Sequence, residues 1–335
     1  MIAPERARAP VATGALRIEY AHLAPDEPLP SDALAAVTFA EAALPDCDPR
    51  RIHVSLGVLA GTGTMELWRA AGPVELGREG PIRFASGAEY LAGVIELDER
   101  EHGGLAGAAE AAYALVSSFQ QRSAHPHLLR AWNYFDGINR GAADAERYKQ
   151  FCLGRAAGLG ACPPSRYPAA TAIGRRDGSP LLQVFWLAAR TAGTSLENPR
   201  QVSAYRYPRR YGPAAPSFSR AMLIPPHLLL ISGTASITGH ASRHPGSLAE
   251  QIEETLRNLA SVLARAGREH PVCGPGARAR SLLKVYLRDR ASAADAAALL
   301  AERLPGTPLL MLEADICRAE LLVEIDCVHH FDVPQ

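Results

Sequence analysis

No two cysteines in this sequence are spaced as C-x-x-C, and no Cys/His group has zinc-finger spacing. A structural zinc site therefore has no support. The six cysteines are Cys47, Cys152, Cys162, Cys273, Cys317 and Cys327. They are too few for a disulfide framework in so long a chain, which predicts reduced thiols and a cytoplasmic setting. A surplus of either charge is also missing. Lys+Arg and Asp+Glu both total 35, so there is no electrostatic case for a nucleic-acid partner or an anionic membrane. The longest apolar run, "AMLIPPHLLLISG", is broken by Pro225, Pro226 and His227 and does not predict a membrane span. The start, "MIAPERARAP", has no apolar core of a signal peptide. There is no G-x-x-x-x-G-K-[ST], and "GTGT" at 61–64 is not followed by a phosphate-loop lysine, so nucleotide binding is unsupported. No G-x-S-x-G elbow announces a hydrolase triad. His329 and His330 would point to opposite faces of a strand, which is poor geometry for one metal.

What is present is a soluble globular composition, 47% hydrophobic and 21% charged over 335 residues. That length predicts two domains. Self-similarity supplies a pattern for them. "LLQVFWLAA" (181–189) pairs with "LLVEIDCVH" (321–329), and the same offset pairs "YPAATAIG" (167–174) with "TPLLMLEA" (307–314). "HLLRAWNYFD" (127–136) matches "SLLKVYLRD" (281–289). Helical segments at 105–121 and 247–267 precede the latter pair. In the second, Ser247 and Glu250 form a capping box, and Ile252, Leu256, Leu259 and Leu263 give one apolar face. Gly267 is the expected stop. A further helix is expected in 141–160. The expected fold is α+β, with two β-β-α-β-α-β-β units at about 15–190 and 215–332. The corresponding domains are 1–193, and 194–335 including a proline-rich linker.

"AELLVEIDC" (319–327) reads as a strand whose Glu320, Glu324 and Asp326 share one face. The offset sets Glu324 opposite Val184 and Asp326 opposite Trp186. An acid where the strand needs an apolar residue is either a structural ion pair or a protonated general acid. The linker concentrates Tyr205, Tyr207, Tyr211, Arg206, Arg209, Arg210 and Arg220. Arginine grips a carboxylate through two parallel hydrogen bonds, and tyrosine packs on a ring while donating one. Arg209 and Arg210 read as solvated, whereas Arg220 adjoins an apolar run. Gly233, Thr234 and Ser236 in "ISGTASITGH" offer backbone N–H groups and hydroxyls for an oxyanion. Arg155 in "CLGRA" is a further candidate.

The segments "YGPAAPSFSRAMLIPPHLLLISGTASI", "LLKVYLRD" and "LLVEIDCV" resemble, in order, the signatures of the Rid (YjgF-like) deaminases. That resemblance implies small α+β units, like those of chorismate mutase, in trimers with clefts between subunits. The family's usual arginine before the last hairpin is replaced by Leu310 and Met311, which counts against simple imine deamination. The chain from about 15 to 332 resembles the chorismatase family more specifically, through "ERYKQFCLGRA", "YPAATAIG", "LENPRQVSAYRYPRRYGPAAPSFSRA", "ISGTASITGH" and "CRAELLVEIDC". This resemblance implies an enzyme that removes the enolpyruvyl group of chorismate as pyruvate, without metal or organic cofactor. The family's catalytic Glu falls on Glu324. Tyr205, Tyr211, Arg155, Arg220, Gly233 and Thr234 are the expected substrate contacts. The product-determining positions fall on Ala235 and Cys317. Cys317 resembles the hydroxybenzoate-forming types and Ala235 the hydrolytic type. The reading favours 3-hydroxybenzoate, with 4-hydroxybenzoate or a dihydroxycyclohexadienoate as alternatives. A Rid-type deaminase and a non-catalytic metabolite binder remain open readings. The expected assembly is a monomer or a homotrimer.

Overall fold

The structure is a computed structural model and describes residues 15–24, 27–41, 48–270 and 279–331. The opening segment read for a signal peptide, Cys47 and Cys273 lie outside the described residues. The other four cysteines are free. Among the described residues no helix is long and apolar enough to cross a membrane.

The N-terminal strands are β1 (Arg17–Ala21), β2 (Ala33–Phe39), β3 (Arg51–Val54), β4 (Val58–Gly61) and β5 (Met65–Arg69). The first helix-covered unit follows as β6 (Glu75–Glu79), β7 (Ile82–Ser86), β8 (Tyr90–Asp98), α1 (Leu105–Arg122), β9 (His127–Asp136), α2 (Arg147–Leu159), β10 (Ala169–Arg175) and β11 (Leu181–Ala189). The second runs through β12 (Thr194–Leu196), β13 (Ala221–Ile224), β14 (Leu228–Ala235), the short β15 (Ile237–Thr238) and β16 (Ala241–Ser242), then α3 (Leu248–Glu269), β17 (Ala279–Leu287), α4 (Ala293–Arg303), β18 (Leu309–Glu313), β19 (Asp315–Ile316) and β20 (Val323–Phe331). β7 to β11 and β13 to β20 each follow the expected β-β-α-β-α-β-β order. The α+β class and its tandem units are therefore as expected.

The apolar run 221–233 forms the β13–β14 hairpin, turning at Pro225–His227. The Ser247 hydroxyl caps α3 by accepting from the Glu250 N–H, as the sequence predicts. Gly267 does not end that helix, which continues to Glu269. Tertiary packing carries a glycine that intrinsic propensity would disfavour by about 1 kcal/mol.

Two expectations need correction. Residues 17–69 do not belong to the first unit. They build a four-stranded sheet in the order β1-β5-β2-β3, with β2 and β3 parallel and the other neighbours antiparallel. The centres of the two larger sheets, β8-β11-β9-β10 and β14-β20-β17-β18, repeat that order and those directions. The N-terminal sheet is thus a third copy of the strand core without helices. The three sheets meet on one apolar core that includes Ile18, Trp68, Trp132, Phe185, Leu230 and Tyr286. They also exchange strands, since β4 pairs with β18, and β19 with β10.

The second correction concerns register. Val184 and Trp186 pack with α1 residues on the helix side of the first sheet. Asp326 instead meets Trp132 in the space between sheets. The constant offset was wrong by one residue, and a one-residue slip exchanges the faces of a strand. The first-unit residues that share the face of Glu324 are Gln183 and Phe185.

Candidate active site

The first and second units enclose a cavity of about 280 Å³, a size suited to a small organic molecule. α2 and β10 form one wall, β14 and β20 the other, and linker residues 207–220 close the top.

Glu324 is the second residue of β20 and is 5% exposed. Among the described residues no cation lies within ion-pair distance, so the structural ion pair considered for it is absent. Its carboxyl accepts from the Cys317 thiol, 3.9 Å from Oε2. Burial first, and then the charge of Asp326, push its carboxyl up to about 8, against the pull of Arg130 and Arg220. A group so placed carries a proton at neutral pH. Gly233 makes room for it: a Cβ there would collide with Glu324 Oε1. A β-bulge between Ile231 and Thr234 interrupts the β14–β20 pairing at that point.

Arg155 and Arg220 are 3% and 5% exposed and line the same cavity. Among the described residues, Nε and Nη2 of Arg155 have no hydrogen-bond partner, and its guanidinium lies 4.7 Å over the Tyr113 ring. Arg220 donates through Nη2 to Tyr207 Oη and Val202 O, while its Nε has no partner among the described residues. Buried N–H groups are rarely left unsatisfied. Two cations with free donors in one cavity match a ligand bearing carboxylates. Tyr211 and Tyr207 stand at the mouth, with the Arg318 guanidinium 4.2 Å over the Tyr211 ring. The cavity thiols are poor nucleophiles. Burial pushes Cys152 up to about 12 and raises Cys317 well above its ordinary value.

Of the predicted residues, Glu324, Arg155, Arg220, Tyr211, Gly233, Ala235 and Cys317 come together here. Tyr205 does not: its ring packs edge-on against Tyr167, 5.9 Å away, and Tyr207 takes the place at the cavity. Thr234 is also excluded, because neighbouring residues of a strand face opposite ways, and its hydroxyl donates to Ser232 O. The oxyanion reading fails with it. The Gly233 N–H is held by Thr171 Oγ1, and the Ser236 hydroxyl donates to Arg243 O. Glu320 precedes β20 rather than sharing its face, and it accepts from Ser242 at the exposed rim. Arg209 and Arg210 are both exposed, as expected; Arg209 pairs with Asp144, and Arg210 also lines the mouth.

Sequence reasoning missed Tyr148, Thr171 and Arg318. Each lies within or beside a quoted segment, "ERYKQFCLGRA", "YPAATAIG" or "CRAELLVEIDC". That position was their only signal.

Comparison with known proteins matches residues 66–188 to the family model "Chorismatase FkbO/Hyg5-like, N-terminal". A chorismatase of Streptomyces rapamycinicus is 38% identical over 275 residues, covering 78% of this chain and 81% of the relative. A 3-hydroxybenzoate synthase of Streptomyces hygroscopicus is 32% identical over 320 residues, covering 90% and 92%. A chorismatase crystal structure superposes with a TM-score of 0.82 at 34% identity, covering 95% of this chain and 99% of that one.

Proposed function

This chain belongs to the chorismatase family, and from that premise we propose that it converts chorismate to pyruvate and 3-hydroxybenzoate. One observation carries the reading. Glu324, a buried carboxyl held in its neutral form, shares a cavity with two buried arginines that have free donors. Chorismate brings two carboxylates and an enol ether, and the cavity offers one partner for each. Arg155 and Arg220 bind the carboxylates. Glu324 protonates the methylene carbon of the enol ether, which turns the enolpyruvyl oxygen into a leaving group.

The ring's own hydroxyl then attacks the neighbouring carbon as the C–O bond to pyruvate breaks, and the proton it sheds on closing the oxide goes back to that oxygen when the oxide opens to the phenol. The resulting arene oxide opens, and loss of a ring proton gives 3-hydroxybenzoate. That proton returns to Glu324, so no water is consumed. Keeping water off the ring is the requirement of this route. Cys317, beside Glu324 on the cavity wall, serves that exclusion. The relative named 3-hydroxybenzoate synthase supports the same product. Ala235, opposite Glu324 on β14, favours the hydrolytic outcome as the second reading.

We further infer that residues 194–335 supply the acid while residues 1–193 supply Arg155 and the facing wall. A monomer suffices, because one chain completes the cavity. Free thiols suit a cytoplasmic setting.

The test is to incubate the purified protein with chorismate, assay pyruvate and separate the acids formed. Pyruvate with 3-hydroxybenzoate is expected. Pyruvate with a non-aromatic diol keeps the family activity and overturns the product. Ammonia released from imines, with no pyruvate from chorismate, overturns both.

A further inference from the structure

Behind Glu324 lies a cluster of four charged side chains, none more than 3% exposed: Glu66, Arg130, Lys284 and Asp326. Three sheets supply them. Lys284 Nζ forms an ion pair with Glu66 Oε2 at 2.7 Å and lies 3.9 Å from Asp326 Oδ1. Arg130 Nη2 is 3.4 Å from Asp326 Oδ2. The same oxygen accepts from Trp132 Nε1 at 3.0 Å, Tyr286 Oη at 3.1 Å and Thr171 Oγ1 at 3.3 Å. So dense a donor set is far more than folding demands of one side chain, since an apolar residue is often as stable in such a place.

Asp326 sits two residues from Glu324 on the same face of β20. Two carboxyls so close in a dry site do not both ionise readily. Thr171 joins the two regions. It donates to Asp326 and accepts from the Gly233 N–H, at the gap into which the Glu324 carboxyl fits.

We propose that Asp326 is a positioning residue for the catalytic acid, its carboxyl pinned two residues away on the same strand face by the buried cluster so that Glu324 serves as the proton donor. This rests on the acid role of Glu324 proposed above. Other titratable groups face the pair from each side. β9 presents Arg130 and Tyr134, β17 Lys284 and Tyr286, β5 Glu66 and β1 Tyr20. α2 presents Tyr148, Cys152 and Arg155, the linker Arg220, and the segment before β20 Cys317. The buried phenols and thiols among them are raised by burial. They stay neutral over the working range, which leaves the charged residues to set the balance.

The test is the alkaline limb of kcat/KM against pH. Asp326→Asn removes the neighbouring anion, so Glu324 loses its proton more easily and the limb moves down by about 1 pH unit. Arg130→Gln removes a cation, and the limb moves up by a similar amount. The double variant removes the pair together and brings the limb back near wild type. Within the cluster it leaves only the Lys284–Glu66 pair, so it keeps the test open where a single variant fails to fold. Circular dichroism and thermal melts establish folding for each. Single variants that lower activity with an unmoved limb overturn the proposal, as do two shifts in one direction. So does a double variant whose limb stays displaced. A Glu324→Gln enzyme with full activity overturns the acid role itself; an inactive Glu324→Gln enzyme together with unmoved limbs in the Asp326 and Arg130 variants overturns the role of Asp326 alone.

Discussion

Two clefts in this molecule are built alike and differ in what they hold. In each, the last strand of one four-stranded core faces the third strand of the next. Where β20 meets β10, the strands bring Glu324 and Thr171 to a cavity of about 280 Å³. Where β11 meets β3, they bring Gln183 and His53 to one of about 940 Å³. The strand pairings match these positions. Glu324 lies opposite Tyr286 and Gln183 opposite Tyr134, and the two tyrosine hydroxyls meet at 2.8 Å. Gln183 spends its amide on His53 O and Glu96, at 2.7 and 2.8 Å. Glu324 has no such anchors and keeps a proton instead. The fold provides a cleft in both places, and in the first it holds a buried acid with no ion-pair partner among the described residues.

The largest expected effect tests that contrast directly. Glu324→Gln gives the active cleft the amide of its counterpart, and pyruvate release should fall by about 10²- to 10⁴-fold with substrate affinity near normal by calorimetry. The reverse exchange, Gln183→Glu, sets a carboxylate against Glu96 and a backbone carbonyl. It should cost roughly 1–3 kcal/mol in a denaturant melt and create no second activity in the Glu324→Gln background. Arg155→Ala or Arg220→Ala should raise KM by roughly 10- to 100-fold with melting little changed; an unaltered KM removes that residue from the site. In the wild type, kcat/KM should decline as pH rises through about 8, because the proposed role requires Glu324 to be protonated. The smallest difference separates neighbouring tyrosines. Tyr205→Phe should leave the kinetics unchanged, while Tyr207→Phe removes a hydroxyl from Arg220 and should raise KM.

Glu324 was legible as unusual because a charge among Leu, Val and Ile must be answered by an ion pair or by chemistry; which of the two was not legible, and the family resemblance alone favoured chemistry. The order of strands and helices was legible because α3 has both a cap and a sustained apolar face. Register was not. Both faces of β11 and β20 are buried, so the alternation that normally orients a strand is erased. The third sheet escaped detection because it has no helices, and helices framed the repeat. Arg130 and Thr171 stand far from β20 in sequence, so their bearing on Glu324 exists only after the sheets have packed.

The exchange of β4 and β19 between sheets has a consequence for how such a site changes over time. In a ring of identical subunits, every substitution is installed at each cleft at once, and a change that helps one is imposed on all. Here neighbouring cores are stitched into one chain by each other's edge strands, and each cleft has its own codons. One pocket can be sharpened around a single proton while another drifts into a broad polar groove, and neither change constrains the other.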